Sequence, residues 1–323
     1  MHQLPFDIRT MEFLADHRFS PLTEFFLFAS NMGEVRGYLL ITTLIYVAFD
    51  KRLAVRLALL ISLTMGFNHL LKIIIKNPRP FIVEGDYLQK WAVPLDNARD
   101  LATEWSTPSG HAMGAASFYI FLGGCLRRRA IYILAVVAIL ATGASRPYLG
   151  VHYVEDILLG WAIGLGVGLT ALRYGERVAA RWNRIPYGRQ VAIALAGSLV
   201  FWLLTIAVNG GRIDGQPRAF LGYAGIATGV VIAWPLELRF VQFDPRSGSV
   251  LLKGLRYLLS VALSVAVLEG LGWAFNGMAD DYSLGGYMLQ YLRYILVGVV
   301  SLFVSPWIFT RLRLATTLRT AQD

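Results

Sequence analysis

Apolar runs that approach the length needed to cross a bilayer recur nine times along this chain. A helix needs about 20 such residues to span the hydrocarbon core. Inside lipid the backbone N–H and C=O groups must be satisfied within the segment itself, so runs of this kind fold as helices. They cover residues 36–50, 53–75, 108–126, 130–145, 152–172, 191–209, 219–235, 255–275 and 289–309. The expected fold class is therefore all-α: a polytopic transmembrane helix bundle of about nine spans. A soluble domain is excluded by composition, since 56% of the residues are hydrophobic and 16% charged. No internal repeat of roughly 20 to 50 residues suggests a solenoid or array.

Residues 1–35 read as an interfacial segment. The stretch "PLTEFFLFASNMGEVRG" is apolar for too short a length and carries Glu24, Asn31, Glu34 and Arg36, so it is expected to lie on the membrane or insert halfway. The N-terminus lacks a basic region followed by an apolar core, and no cleavable signal peptide is expected. Cys125 is the single cysteine, which leaves no partner for an intrachain disulfide or a thiolate metal site and reads as a small packed side chain. Residues 36–175 then form the part with chemistry, and residues 190–323 add apolar spans without a catalytic pattern.

Orientation follows from lysine and arginine, because positive connections stay cytoplasmic. Basic residues fill alternate connections: Lys51, Arg52 and Arg56; Arg127 to Arg129; Arg173 to Arg189; Arg239 to Arg256; and Arg311 to Arg319. The last connection on the other side, "NGMADDYSLGG", has none and is acidic. The expected topology has the N-terminus outside and the C-terminus in the cytoplasm. The net charge of +9 is then explained by anchors to anionic head groups. Nucleic acid is not expected as a partner, since the basic residues punctuate helix ends instead of forming one face.

Three outward-facing connections carry unusual residues. "LKIIIKNPRPF" places Lys72 and Arg79 after the second span, "PSGH" opens the third, and "SRPYLGVHYVED" joins the fourth to the fifth. A charge near the bilayer centre costs about 2.5 to 3.5 kcal/mol, so Lys72, Arg79 and Arg146 belong at the water boundary or in a polar cavity. Taken singly each reads equally well as an interfacial anchor; converging, they imply an anion between them. His152 and Asp156 are four apart and share a helix face, where a carboxylate can accept the Nδ1 hydrogen and hold the opposite nitrogen ready. That is the base-plus-orienter arrangement of nucleophilic sites. Ser109 and Gly110 fall at a helix start, whose free N–H groups and positive dipole end suit a phosphate, and His111 follows within reach. Arginine offers a planar fork for two phosphate oxygens, which Lys72 supplements as a point charge.

Lys72, Arg79 and Pro80; Pro108, Ser109, Gly110 and His111; and Ser145, Arg146, His152 and Asp156 resemble, in order and spacing, the three signature motifs of the type 2 phosphatidic acid phosphatase superfamily, which includes vanadium haloperoxidases. The third motif alone would arise by chance on the order of 0.002 times in a chain this long. The resemblance covers roughly residues 20–172, with no departure at any signature position. It implies that His152 is the nucleophile that becomes phosphohistidine, with Asp156 orienting it. It also implies that His111 protonates the leaving oxygen and then activates water. Lys72, Arg79, Ser109, Gly110 and Arg146 would hold the equatorial oxygens. It implies a phosphatidic acid phosphatase-like helical core plus C-terminal extra helices, with no metal and no cofactor. The longer "PSGHAMG" string and the nine-span layout look like the glucose-6-phosphatase and sphingosine-phosphate phosphatase branches.

The leading expectation is a lipid phosphate phosphatase of a bacterial inner membrane, acting on a monoester or diphosphate at the extracytoplasmic face. An enzyme for a soluble phosphate such as a sugar phosphate, or one that moves the phosphoryl group to another acceptor, is the second reading. An anion transporter is a third, and the His152 and Asp156 pair counts against it because permeation needs no nucleophile. Among the neighbours, Lys76, Arg99 and Glu104 read as solvated loop charges, and Tyr148 and Tyr153 as interface aromatics.

Overall fold

The computed structural model describes residues 5–80, 104–213 and 215–318. Its helices are α1 (Pro5–Asp16), α2 (Ser20–Met32), α3 (Val35–Ala48), α4 (Lys51–Ile75), α5 (Gly110–Leu126), α6 (Arg129–Leu149), α7 (Val154–Trp182), α8 (Tyr187–Val208), α9 (Gly215–Leu236), α10 (Val250–Phe275), α11 (Leu284–Val299) and α12 (Ser305–Arg311). Among the described residues, seven stretches are long and apolar enough to cross a membrane, and Arg36–Ala48 and Gly110–Leu126 are shorter apolar helices. Together they fall on the nine runs read from the sequence. The fold is the expected all-α bundle of an integral membrane protein. Helix α7 continues to Trp182, well past the expected end at 172, because its polar extension is built from the strong helix formers Arg, Glu and Ala.

Contacts divide the chain into two compact units: Met1–Tyr38 with Thr64–Glu176, and Leu39–Leu63 with Arg177–Asp323. In the first unit, α5 and α7 meet along a stripe of glycines. A Cβ added to Gly160 would lie 2.9 Å from the carbonyl oxygen of Ser109, one on Gly164 would lie 2.3 Å from that of Met113, and one on Gly168 would lie 2.4 Å from Ile120 Cγ2. Small residues four apart let two helix backbones approach closely, the usual device for joining helices in lipid. The seam brings the first turn of α7 beside the first turn of α5. Both helix starts are capped: Ser109 Oγ accepts from the Ala112 N–H, and Asp7 Oδ1, from α1, accepts from the N–H groups of Val154 and Glu155. Capping of this kind satisfies amides that a helix start leaves unpaired.

The segment expected to be interfacial is two helices. Helix α2 carries Ala29 and Ser30 on its buried side and exposes Phe25 and Phe28. Tyr148 and Tyr153, expected at the interface, are buried in a cluster with Met11, Leu149 and Val151. Tyr148 packs on Phe26 with ring centroids 4.5 Å apart, and its hydroxyl meets Thr23 Oγ1 at 2.9 Å. The N-terminal helices cover both rings.

In the second unit, α3 and the first half of α4 share a core with the C-terminal helices, centred on Tyr46, Val55, Val230, Phe243 and Phe309. Two cations counted as lipid anchors are structural. Lys51 is buried and pairs with Glu237 at 2.8 Å, while Arg256 is buried and donates to the carbonyl oxygens of Asp244, Pro245 and Ser247. A π-helical stretch at Val300–Val304 precedes Pro306, whose ring would otherwise press on the carbonyl one turn back.

Candidate active site

Four helix ends of the first unit supply the residues singled out in the sequence. Lys72 lies in the last turn of α4 and Arg146 in the last turn of α6. Gly110 and His111 open α5 behind Ser109, and Asp156 lies in the first turn of α7. Helix α6 ends on Gly150, whose φ of 80° suits a residue without a Cβ. Its N–H closes on the carbonyls of Arg146 and Pro147, and the chain reverses to deliver His152 two residues later.

His152 is buried between an acid and a base. Its Nδ1 is 3.2 Å from Asp156 Oδ2 and 3.1 Å from Ser106 Oγ. Its Nε2 faces Arg79 Nη1 at 3.2 Å, a contact that a nitrogen accepts only when it is unprotonated. Asp156 is fully buried and fixed on both oxygens. Thr107 Oγ1 donates to Oδ1, while Ser106 Oγ and the Tyr153 N–H donate to Oδ2 at 2.5 and 3.0 Å. Asn77 ties this loop down by donating to Thr107 Oγ1 at 2.8 Å and accepting the Ser106 N–H on its carbonyl at 2.7 Å. Asn68 donates to the Pro108 carbonyl at 3.0 Å, and the Ser109 N–H donates to the Asp156 carbonyl at 3.1 Å.

The cations surround the same place. Arg79 is buried and donates from Nε to the Glu104 carbonyl at 3.0 Å and from Nη1 to the Val151 carbonyl at 3.1 Å. Glu104 is drawn into this group. Its Oε2 lies 3.0 Å from Lys72 Nζ and 3.3 Å from Arg79 Nη2, and the Lys72 ammonium, joined by Arg79, holds its carboxyl well below the usual carboxylate range. The expectation of a solvated loop charge is corrected here: a buried ammonium and guanidinium side by side attract the nearest carboxylate. Lys76 is exposed, as expected, and Arg99 lies outside the described residues. Arg146 is buried and donates from Nη1 to Ser30 Oγ at 2.5 Å. His111 has Glu34 at 3.7 Å from its Nε2. That imidazole, helped by Arg146 and Arg36, holds the Glu34 carboxyl below its ordinary value against partial burial. Gly110 is closely packed, since a Cβ there would sit 3.0 Å from Asn68 Oδ1 and 3.1 Å from Met65 Cε.

All eight residues singled out in the sequence thus lie in one unit at neighbouring helix ends. The sequence reading missed Ser106, Thr107, Asn77 and Asn68. Ser106 and Thr107 directly precede "PSGH", and that adjacency was the available signal. Among the described residues no three of His, Cys, Asp and Glu converge as metal ligands. The arrangement offers a fixed imidazole with one nitrogen facing a cluster of cations, which is suited to binding a phosphoryl group and attacking it.

Residues 53–179 match the PAP2 superfamily, and residues 221–317 match the transmembrane extension of PAP2 superfamily phosphatases. The chain belongs to the PAP2 superfamily. The chain is 34% identical over 85 residues to phosphatidylglycerophosphatase B of Bacillus subtilis, covering 24% of this chain and 42% of that protein. The match therefore spans less than half the length of that relative. Undecaprenyl-diphosphatase of Sulfolobus acidocaldarius is 22% identical over 175 residues, 52% of this chain and 78% of that one. Among solved structures, the transmembrane PAP2 type phosphatidylglycerolphosphate phosphatase from Bacillus subtilis matches 54% of this chain and 86% of its own with a TM-score of 0.44 and 24% identity. Aquifex aeolicus LpxE matches 54% and 99% with a TM-score of 0.44 and 22% identity.

Proposed function

We propose that this PAP2 protein is a phosphatase that removes phosphate from a lipid monoester or diphosphate at the extracytoplasmic face of the membrane, through a phosphohistidine and without a metal. The observation that carries the reading is the orientation of His152: Asp156 and Ser106 occupy its Nδ1 side while Nε2 faces Arg79. In the first step Nε2 forms a bond to phosphorus as the bond from phosphorus to the lipid oxygen breaks, and His111 gives its proton to that oxygen. In the second step His111 takes a proton from water, whose oxygen attacks phosphorus. Phosphate leaves and His152 is regenerated. Lys72, Arg79, Arg146 and the amides behind Ser109 and Gly110 stabilise the charge growing on the equatorial oxygens. These cations supply the positive charge that a metal provides elsewhere, which is the basis for proposing metal independence. The two relatives are named for phosphatidylglycerophosphate and undecaprenyl diphosphate, which supports a lipid substrate.

The test is phosphate release by the purified protein from phosphatidate, phosphatidylglycerophosphate, polyprenyl diphosphate, sphingosine phosphate and glucose phosphate, with and without chelator. Lipid phosphates are expected to be the substrates, chelator to change nothing, and His152→Ala to lose at least about 10³-fold in kcat. Preference for glucose phosphate would move the substrate to the soluble class, and near-normal turnover in His152→Ala would remove the phosphohistidine.

A further inference from the structure

Residues matching the PAP2 superfamily begin at 53, yet a carboxylate beside His111 comes from before that point. Glu34 sits in the turn between α2 and α3, and the last turn of α2 is pinned to α5 and α6 at three places. Tyr119 Oη donates to the Met32 carbonyl at 3.1 Å, Thr142 Oγ1 donates to the Ala29 carbonyl at 3.1 Å, and Arg146 Nη1 donates to Ser30 Oγ at 2.5 Å. Gly33 then passes directly against the site. A Cβ there would lie 2.2 Å from Thr142 Cγ2 and 3.4 Å from His111 Cδ2, so only glycine allows this approach. The next residue places its carboxylate Oε1 3.7 Å from His111 Nε2, and that nitrogen is buried with no hydrogen-bond partner among the described residues. The separation is too long for a hydrogen bond, but contacts in unliganded sites commonly tighten when substrate binds.

We propose that Glu34 is the positioning carboxylate of His111, holding the imidazolium that protonates the leaving oxygen. The proposal rests on the phosphatase reading above and extends it to a residue outside the signature motifs. An imidazolium carries a proton on each nitrogen; with one held toward Glu34, the other is given to the leaving oxygen as its bond to phosphorus breaks. The charged groups around His111 are Arg146, Glu34 and Lys72. Arg146 and Lys72 are cations, and Glu34 is the carboxylate among the three. The site thus holds two histidines with a carboxylate each: Asp156 for the nucleophile and Glu34 for the acid. They differ in surroundings, since Asp156 is sealed off while the Glu34 side chain is 44% exposed.

A leaving group that needs no proton separates this role from a structural one. Wild type, Glu34→Gln, Glu34→Asp and His152→Ala are compared on dodecyl phosphate, whose alkoxide must be protonated, and on p-nitrophenyl phosphate, whose phenolate departs unaided. The quantity read is kcat/KM, which reports only steps through cleavage of the bond to the leaving group. Glu34→Gln should lose roughly 10- to 100-fold on dodecyl phosphate and less than about threefold on p-nitrophenyl phosphate, and Glu34→Asp should recover part of the loss. Equal losses on the two substrates, or no loss on either, would overturn the role of Glu34. A wild type inactive on both, or an active His152→Ala, would overturn the phosphatase reading and this inference with it.

Discussion

The positioning role proposed for Asp156 requires that it cannot turn away from the imidazole, and Thr107 is what fixes its Oδ1. Thr107→Val keeps the shape of the side chain, removes that donor and leaves the Asn77 amide without its acceptor. A hydrogen bond to a charged group contributes about 1.5 to 3 kcal/mol, so kcat should fall roughly 10- to 100-fold. KM should change by less than about threefold, because Thr107 touches none of the cations and binding alone would leave kcat intact. Steady-state kinetics decide it, and a variant with near-normal kcat would show that Ser106 and the Tyr153 amide suffice to hold the carboxylate. At this scale the sequence displayed the motif residues because their types and spacing are unusual in an apolar chain. Ser106 and Thr107 were hidden because hydroxyls beside Pro-Ser-Gly read as turn formers. They stand 50 and 49 positions before Asp156 in sequence, and only the fold sets them against it in space. Glu104 misled for a related reason: a loop carboxylate looks solvated until the ammonium 32 positions before it is placed beside it.

Glycines at positions 160, 164 and 168 recur every four residues, yet that spacing does not say which helix lies against them. The structure supplies the answer, and with it the reason two separate motifs meet. Gly164→Val would put a branched side chain where a Cβ already stands 2.3 Å from the Met113 carbonyl oxygen and 2.8 Å from Ala116 Cβ. Neither backbone can yield without parting α5 from α7, and overpacking of this kind costs about 1 to 3 kcal/mol. Gly166→Val is the control, since a Cβ there meets nothing within 4 Å. The melting temperature in detergent should fall by several degrees in the first variant and hold in the second, and phosphatase activity should follow the same order. Loss in both would mean that the helix tolerates no branched residue in this stretch, and the seam would lose its special role. The capping of α7 by Asp7 was not legible at all, because the acceptor comes from a helix 147 positions earlier.

At the scale of the whole molecule, α5 is the ruler for which side of the membrane the chemistry faces. It is 17 residues long, about 26 Å at 1.5 Å per residue, close to one hydrocarbon thickness. At one end are Ser109, Gly110 and His111; at the other, Arg127, Arg128 and Arg129 are all exposed. A run of three arginines at a short connection belongs in the cytoplasm, so the site, one crossing away, is proposed to be extracytoplasmic. Burial of Lys51 and Arg256 removes two cations from the basic connections, but neither belongs to this turn. In a Cys125→Ala background, a cysteine at Arg128 should be protected from a membrane-impermeant thiol reagent in intact cells and react once the membrane is opened. Cysteines at Asp16, the exposed last residue of α1, and at Asn97, which lies outside the described residues, should react without opening it. Asp16 is the stronger reporter: Arg18, two residues on, donates to the Tyr148 carbonyl at 3.1 Å, which ties that turn to the site end of α6. The reverse pattern would place the site in the cytoplasm. Its substrates would then be products of cytoplasmic lipid synthesis, and no longer phosphates left on exported or recycled lipid carriers.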